Sequence, residues 1–129
     1  MSQGPGFILL PEALGTGSGV RHPWGSLNFV SERATTGVDG VTVGMARIES
    51  GAENPLHIHG NCSEIILLLS GSVEHVVGEE ILHLVTGDVL IIAPAVPHQA
   101  RSVGTTAAEM VVVYNSGQRG FQLADEAGG

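Results

Sequence analysis

The spacing of glycine constrains this chain more than any other feature. Nineteen glycines fall between short segments rich in Val, Ile and Leu. Apolar runs this short, punctuated by turn residues at intervals of roughly 8 to 12 positions, mark many strands joined by tight connections. No segment carries a sustained helical period. Strands are predicted at 7–10, 27–31, 41–48, 56–59, 64–69, 73–77, 80–85, 89–93, 98–103, 108–114 and 120–123, giving an all-β sandwich or barrel. With 129 residues there is room for one sizeable core and little more. The expected organisation is a loose Gly/Pro/Ser-rich segment over 1–19 holding one edge strand, a barrel over 20–124, and a fraying polar tail at 125–129.

Composition narrows the function. Apolar residues make up 43% and charged residues 14%, which excludes a disordered chain. The net charge is −8 with no cluster of Lys or Arg, which argues against nucleic acid or an anionic membrane and for a small-molecule partner. The longest apolar runs, 65–69 and 89–96, are far too short to span a bilayer, so a soluble protein is expected. A single Cys62, and no Lys or Arg in the first fifteen positions to begin a secretory signal, fit a reducing cytoplasm.

The chemistry concentrates between residues 51 and 98. His57 and His59 are two apart on an extended segment, so both side chains leave one face, which in a closed sheet can be the interior. Glu64 follows a short turn at 60–63 and begins the next strand, where it can aim a carboxylate at the same spot. His98 adds a third imidazole after the bend carrying Pro94 and Pro97. Three neutral imidazoles and one carboxylate around a divalent ion leave a charge of about +1, and an octahedral ion would keep two adjacent positions open. Without a cation, four such groups among apolar neighbours would be costly to bury.

The pattern G-x5-H-x-H-x4-E-x6-G, filled by Gly51, His57, His59, Glu64 and Gly71, resembles the first motif of the cupin superfamily. Gly87, Asp88, Pro97 and His98 resemble its second motif, and the short stretch between Gly71 and Gly87 is similar to the spacer of small, single-domain microbial cupins. The resemblance implies a jelly-roll β-barrel with His57, His59, Glu64 and His98 as ligands of one metal. In the family that metal is commonly iron, manganese, nickel, zinc or copper. Four protein ligands would close the tetrahedron zinc prefers, so iron, manganese or nickel is favoured. Two positions depart from the second motif: Ala93 stands where a first proline is usual, and Ser102 where Asn is frequent.

Other residues admit plainer roles. A hairpin turn at Gly78 and Glu79 would set Glu74 across from His83 and His75 across from Leu82. His75 then faces inward, as hydrogen-bonded filler or as an accessory acid/base, and His83 pairs with Glu74 at the surface. His22 and Trp24 sit in an irregular stretch that either packs or covers the barrel mouth. Cys62 reads as a buried thiol, Arg47 as an exposed strand residue with substrate binding as the alternative, and Gln99 and Tyr114 as structural. The expected interior is aliphatic: Ile66, Leu68, Leu82, Leu84, Val89 and Ile91.

Three functions follow as expectations. The first is a metalloenzyme chelating a small oxygen-rich substrate, oxidising it in dioxygenase fashion with iron, or acting as a non-redox isomerase, cyclase, lyase or decarboxylase with manganese, nickel or zinc. The second is a non-catalytic binding module. The third is a cyclase or tailoring enzyme for a polyketide-like substrate, suited to an apolar cavity. A homodimer is expected, as is common among small cupins.

Overall fold

The computed structural model describes residues 20–124 together with Gly6. The predicted strand at 7–10, the rest of the 1–19 segment apart from Gly6, and the 125–129 tail lie outside the described residues. The strands are β1 (Val20–His22), β2 (Gly25–Ser31), β3 (Thr42–Ile48), β4 (His57–Ile58), β5 (Glu64–Ser70), β6 (Ser72–Val77), β7 (Glu80–Val85), β8 (Val89–Ile92), β9 (His98–Ser102), β10 (Ala108–Tyr114) and β11 (Gln122–Leu123), with one short helix, α1 (Arg33–Thr36). They form two antiparallel sheets, ordered β1-β2-β3-β10-β5-β8 and β11-β4-β9-β6-β7. From β3 onward the chain crosses from one sheet to the other at every connection except the β6–β7 hairpin, so this is a jelly roll. Alternate residues of each strand point between the sheets, and Ile48, Ile66, Leu68, Val73, Ile92 and Val112 make the core.

The β6–β7 hairpin has the register expected of it: Val77 opposes Glu80, His75 opposes Leu82 and Glu74 opposes His83. Gly78 takes the left-handed conformation that the tight turn requires. His75 is buried, as parity predicts. The His83 imidazole, however, lies 2.9 Å from the Ser72 hydroxyl rather than on Glu74.

Two expectations are corrected. Residues 20–22 are not irregular but a short strand paired to β2, with His22 opposite Gly25. Val89 and Ile91 do not line the interior: they are 57% and 69% exposed. The register explains why. Glu64 opposes Ile92 and Ile66 opposes Leu90, and directly paired residues share a face. With Glu64 and Ile66 inside, Leu90 and Ile92 must be inside too. The all-apolar run of β8 hid its parity, because both faces of that strand are hydrophobic.

Among the described residues no helix is long and apolar enough to cross a membrane.

Candidate metal centre

His57 and His98 are direct partners across β4 and β9, so both imidazoles leave the same face of the five-stranded sheet. His59 follows just beyond β4. Glu64 opens β5 on the other sheet, opposite Tyr114 on one side and Ile92 on the other. The two sheets therefore deliver three imidazoles and one carboxylate to one buried point, where one possible ligand atom from each lies within 4.8 Å of all the others. The bend at 93–97 is tied to this point. Ala95 adopts a left-handed conformation at φ 65° and donates its N–H to the His59 carbonyl. The displaced proline thus leaves the bend intact.

The orientation of each ring is fixed from behind. His57 Nδ1 lies 2.7 Å from the Pro55 carbonyl, His59 Nδ1 2.8 Å from that of Gly120, and His98 Nδ1 2.9 Å from that of Val96. A carbonyl oxygen can only accept, so all three Nδ1 atoms carry the proton. In a neutral ring Nε2 is then a bare lone pair. Two of these lone pairs face Glu64 Oε1, from His98 at 2.9 Å and from His59 at 3.3 Å. Glu64 Oε2 accepts from the Tyr114 hydroxyl at 3.0 Å.

Burial opposes ionisation of Glu64, and the contacts with the His59 and His98 rings hold the carboxyl well below its usual range only where each ring turns a positive group toward it. Burial, helped by the neighbouring His98, pushes His57 down to about 4, so this ring stays neutral at physiological pH. Burial, and then the nearby Glu64 charge, push the Tyr114 phenol well above its ordinary value, so it remains a donor. Lone pairs facing a carboxylate repel unless something positive lies between them. Protons could fill that role only by making both rings imidazolium, since their Nδ1 protons are already committed. One divalent cation resolves the contact for all four groups at once.

Beside this cluster lies a cavity of about 450 Å³. Its walls are largely apolar, with Leu27, Phe29, Ile66 and Met110 among the lining residues. His22 and Trp24 stack at 4.7 Å and line the cavity as well, so they shape it rather than merely pack. His75 also lines it, and neither of its ring nitrogens has a hydrogen-bond partner among the described residues. Parity places it inward correctly, but no partner among the described residues makes it the hydrogen-bonded filler that was the plainer expectation. Arg119, which no motif or spacing singles out, is in the cavity wall too.

The plainer readings hold elsewhere. Arg47 is on the surface, paired with Glu49 at 3.0 Å and Glu109 at 2.8 Å. Cys62 is buried, lies outside the group that could hold an ion, and burial raises its thiol. Gln99 points away from the site and donates to the Asn54 carbonyl. Tyr114 is more than structural, because its hydroxyl holds the Glu64 carboxylate.

Comparison with known proteins agrees with this geometry. Germin-like protein subfamily 3 member 1 of Arabidopsis thaliana is 26% identical over 124 residues, and a germin-like protein of Morus alba is 29% identical over 124. Each alignment covers 85% of this chain, which spans about three fifths of the length of these relatives. Among solved structures, Bacillus subtilis oxalate decarboxylase superposes with a TM-score of 0.78 at 16% identity, over 84% of this chain and 30% of that one. An oxalate oxidase in complex with glycolate gives 0.71 at 23% identity, over 80% and 57%. These structural likenesses establish the jelly-roll fold. The Cupin domain model matches residues 44–114, more than half of the sequence and the whole of both motifs, and the chain belongs to the cupin family.

Proposed function

We propose that this chain is a metal-dependent enzyme in which His57, His59, Glu64 and His98 hold one divalent transition ion and a small oxygen-rich molecule chelates it from the cavity. The observation that carries the reading is the convergence of Nε2 lone pairs on the Glu64 carboxylate, with every Nδ1 proton already used. Six-coordinate manganese, iron or nickel suits four protein ligands and a bidentate substrate better than zinc does. The fold relatives favour manganese: one study of B. subtilis oxalate decarboxylase concerns its Mn(II) centres. Others hold formate or glycolate, which supports a small carboxylic acid as substrate.

When bound, the ion supplies Lewis acidity toward chelated oxygens and, where it is redox-active, a route for electrons. The chain's own residues do the rest. The three backbone-anchored imidazoles keep their lone pairs aimed without reorganisation, and Tyr114 prevents Glu64 from turning away. Apolar walls exclude water and strengthen each polar interaction inside. His75 is the group with free hydrogen-bonding capacity beside the ligands, placed to hold a proton or a substrate oxygen. Adding a homodimer and a cytoplasmic location completes the proposal; an apolar outer face on β5 and β8 supports the first and the single buried Cys62 the second.

Oxygen uptake and product formation, measured with manganese- or iron-loaded protein against hydroxy acids, 2-oxo acids, 1,3-diketones and flavonols, test this reading. Metal-dependent turnover of one class supports it, with oxygen consumption separating oxidation from decarboxylation or isomerisation. Metal-dependent ligand binding without turnover would instead make the chain a binding module.

A further inference from the structure

The cavity holds two polar side chains that the four-residue cluster does not use, Arg119 in the loop between β10 and β11 and His75 on β6. Arg119 is partly buried, and its guanidinium carbon sits 4.5 Å from the centre of the Phe29 ring, 5.4 Å from Tyr114 and 5.1 Å from Phe121. Phe29 and Tyr114 belong to the six-stranded sheet. No carboxylate pairs with Arg119 among the described residues, although the chain carries thirteen Asp and Glu against five Lys and Arg. A guanidinium lying over an aromatic face keeps its N–H edge available in its own plane, the arrangement that receives a carboxylate by two parallel hydrogen bonds.

This arginine is held in place. Asn61 donates to the Gln118 carbonyl at 2.8 Å and accepts from the Gly120 N–H at 2.5 Å, clamping the backbone on both sides of Arg119. The Gly120 carbonyl in turn receives His59 Nδ1–H. Arg119 and a cluster imidazole are therefore set by one loop. Tyr114 and Phe121 neighbour both groups: the His59 ring centre is 4.9 Å from Tyr114 and 6.0 Å from Phe121. The guanidinium and the cluster thus share two aromatic neighbours.

His75 comes from the five-stranded sheet, with its ring centre 5.8 Å from that of His98. It is 2% exposed, it lines the cavity, and both nitrogens lack a partner among the described residues. A buried imidazole without hydrogen bonds costs stability unless a ligand or ordered water answers it.

We infer that the cavity binds a planar carboxylic acid whose carboxylate is held by Arg119, whose ring lies along the apolar wall, and whose far end presents a pair of oxygens to the cluster and to His75. The role of the cluster end rests on the metal-dependent reading above. A two-carbon diacid would leave most of a cavity of about 450 Å³ unfilled, whereas a substituted aromatic acid fits its size and its mostly apolar lining.

Calorimetric titration of manganese-loaded protein with 3,4-dihydroxybenzoate and with its methyl ester tests this, with the metal content measured on the same sample. The acid is expected to bind about 10- to 100-fold more tightly than the ester, the margin of a charge-assisted pair. Arg119→Gln is expected to erase that preference while leaving the metal content unchanged. His75→Phe, which keeps a ring in place, is expected to weaken acid and ester alike by about tenfold. Equal binding of acid and ester, binding of neither, or a preference that survives Arg119→Gln overturns the assignment; unchanged affinity in His75→Phe removes His75 from it. A chain that takes up no manganese sinks the metal-dependent reading instead. Benzoate against methyl benzoate then tests Arg119 directly: a preference for benzoate abolished by Arg119→Gln supports its role, and no preference overturns it.

Discussion

Each imidazole of the cluster gives its one proton to a backbone carbonyl, and Tyr114 gives its own to Glu64. Tyr114→Phe removes only the hydroxyl. It leaves Glu64 Oε2 buried without that donor, so the variant should lose about 1–3 kcal/mol of stability and bind metal about 10- to 100-fold more weakly. Thermal denaturation and metal titration read the two effects. His75 supplies a pH prediction. Burial, aided by His98, holds its folded pKa down to about 4 against an ordinary value of 6.5. Between those values the unfolded chain binds more protons than the folded one, so stability falls as the pH drops from 6.5 toward 4. In metal-free protein His75→Phe lacks this loss, and its stability relative to wild type should improve by about 3 kcal/mol across that window. Denaturation at pH 7 and pH 4 measures it. At this scale strand parity was enough to put His57 and His59 on one face, whereas Glu64 and His98 joined them chiefly through the resemblance to the two cupin motifs. Tyr114 and Arg119 were not legible. The hydroxyl of Tyr114 matters only through the pairing of β10 with β5, and Arg119 sits in a loop with no period to read.

Among elements, the turns carry more of the specification than the strands. Gly71 and Gly51 both adopt left-handed backbone, at φ 91° and 81°. They differ in surroundings. A Cβ on Gly71 would stand 2.8 Å from the Ala108 Cα and 2.9 Å from the Ala107 carbonyl oxygen, while one on Gly51 would meet nothing within 4 Å. Gly51→Ala should therefore cost about 1 kcal/mol, the backbone penalty by itself. Gly71→Ala should cost about 2–3 kcal/mol, because β10 must also move. Chemical denaturation of both variants checks the ordering, and equal losses would mean that close approach to β10 is unimportant. The β6–β7 register could be read from the two-residue turn. The face of β8 could not, since Val89, Leu90, Ile91 and Ile92 are all apolar and only the pairing with Glu64 and Ile66 decides which pair turns inward.

For the whole molecule, that misread strand becomes informative. Ile65 opposes Ile91 and Leu67 opposes Val89, and Ile65, Leu69, Val89 and Ile91 are all exposed on the outer face of β5 and β8. A continuous apolar face of this kind is what a second copy would cover. Light scattering should give a dimer mass that falls to a monomer in Ile91→Glu, and a monomeric wild type would overturn this. The two sheets also meet at the cluster, with His57 and His98 on one and Glu64 on the other. A cation there would tie the sheets together and stabilise the folded state by mass action. The most direct measurement is elemental analysis of untagged protein purified without added metal, paired with its melting temperature before and after chelation. The account predicts about one transition ion per chain, lost in His98→Ala, and a melting temperature that drops on chelation and recovers with manganese, iron or nickel. A chain that carries no such ion and gains no thermal stability from any of the three would contradict it.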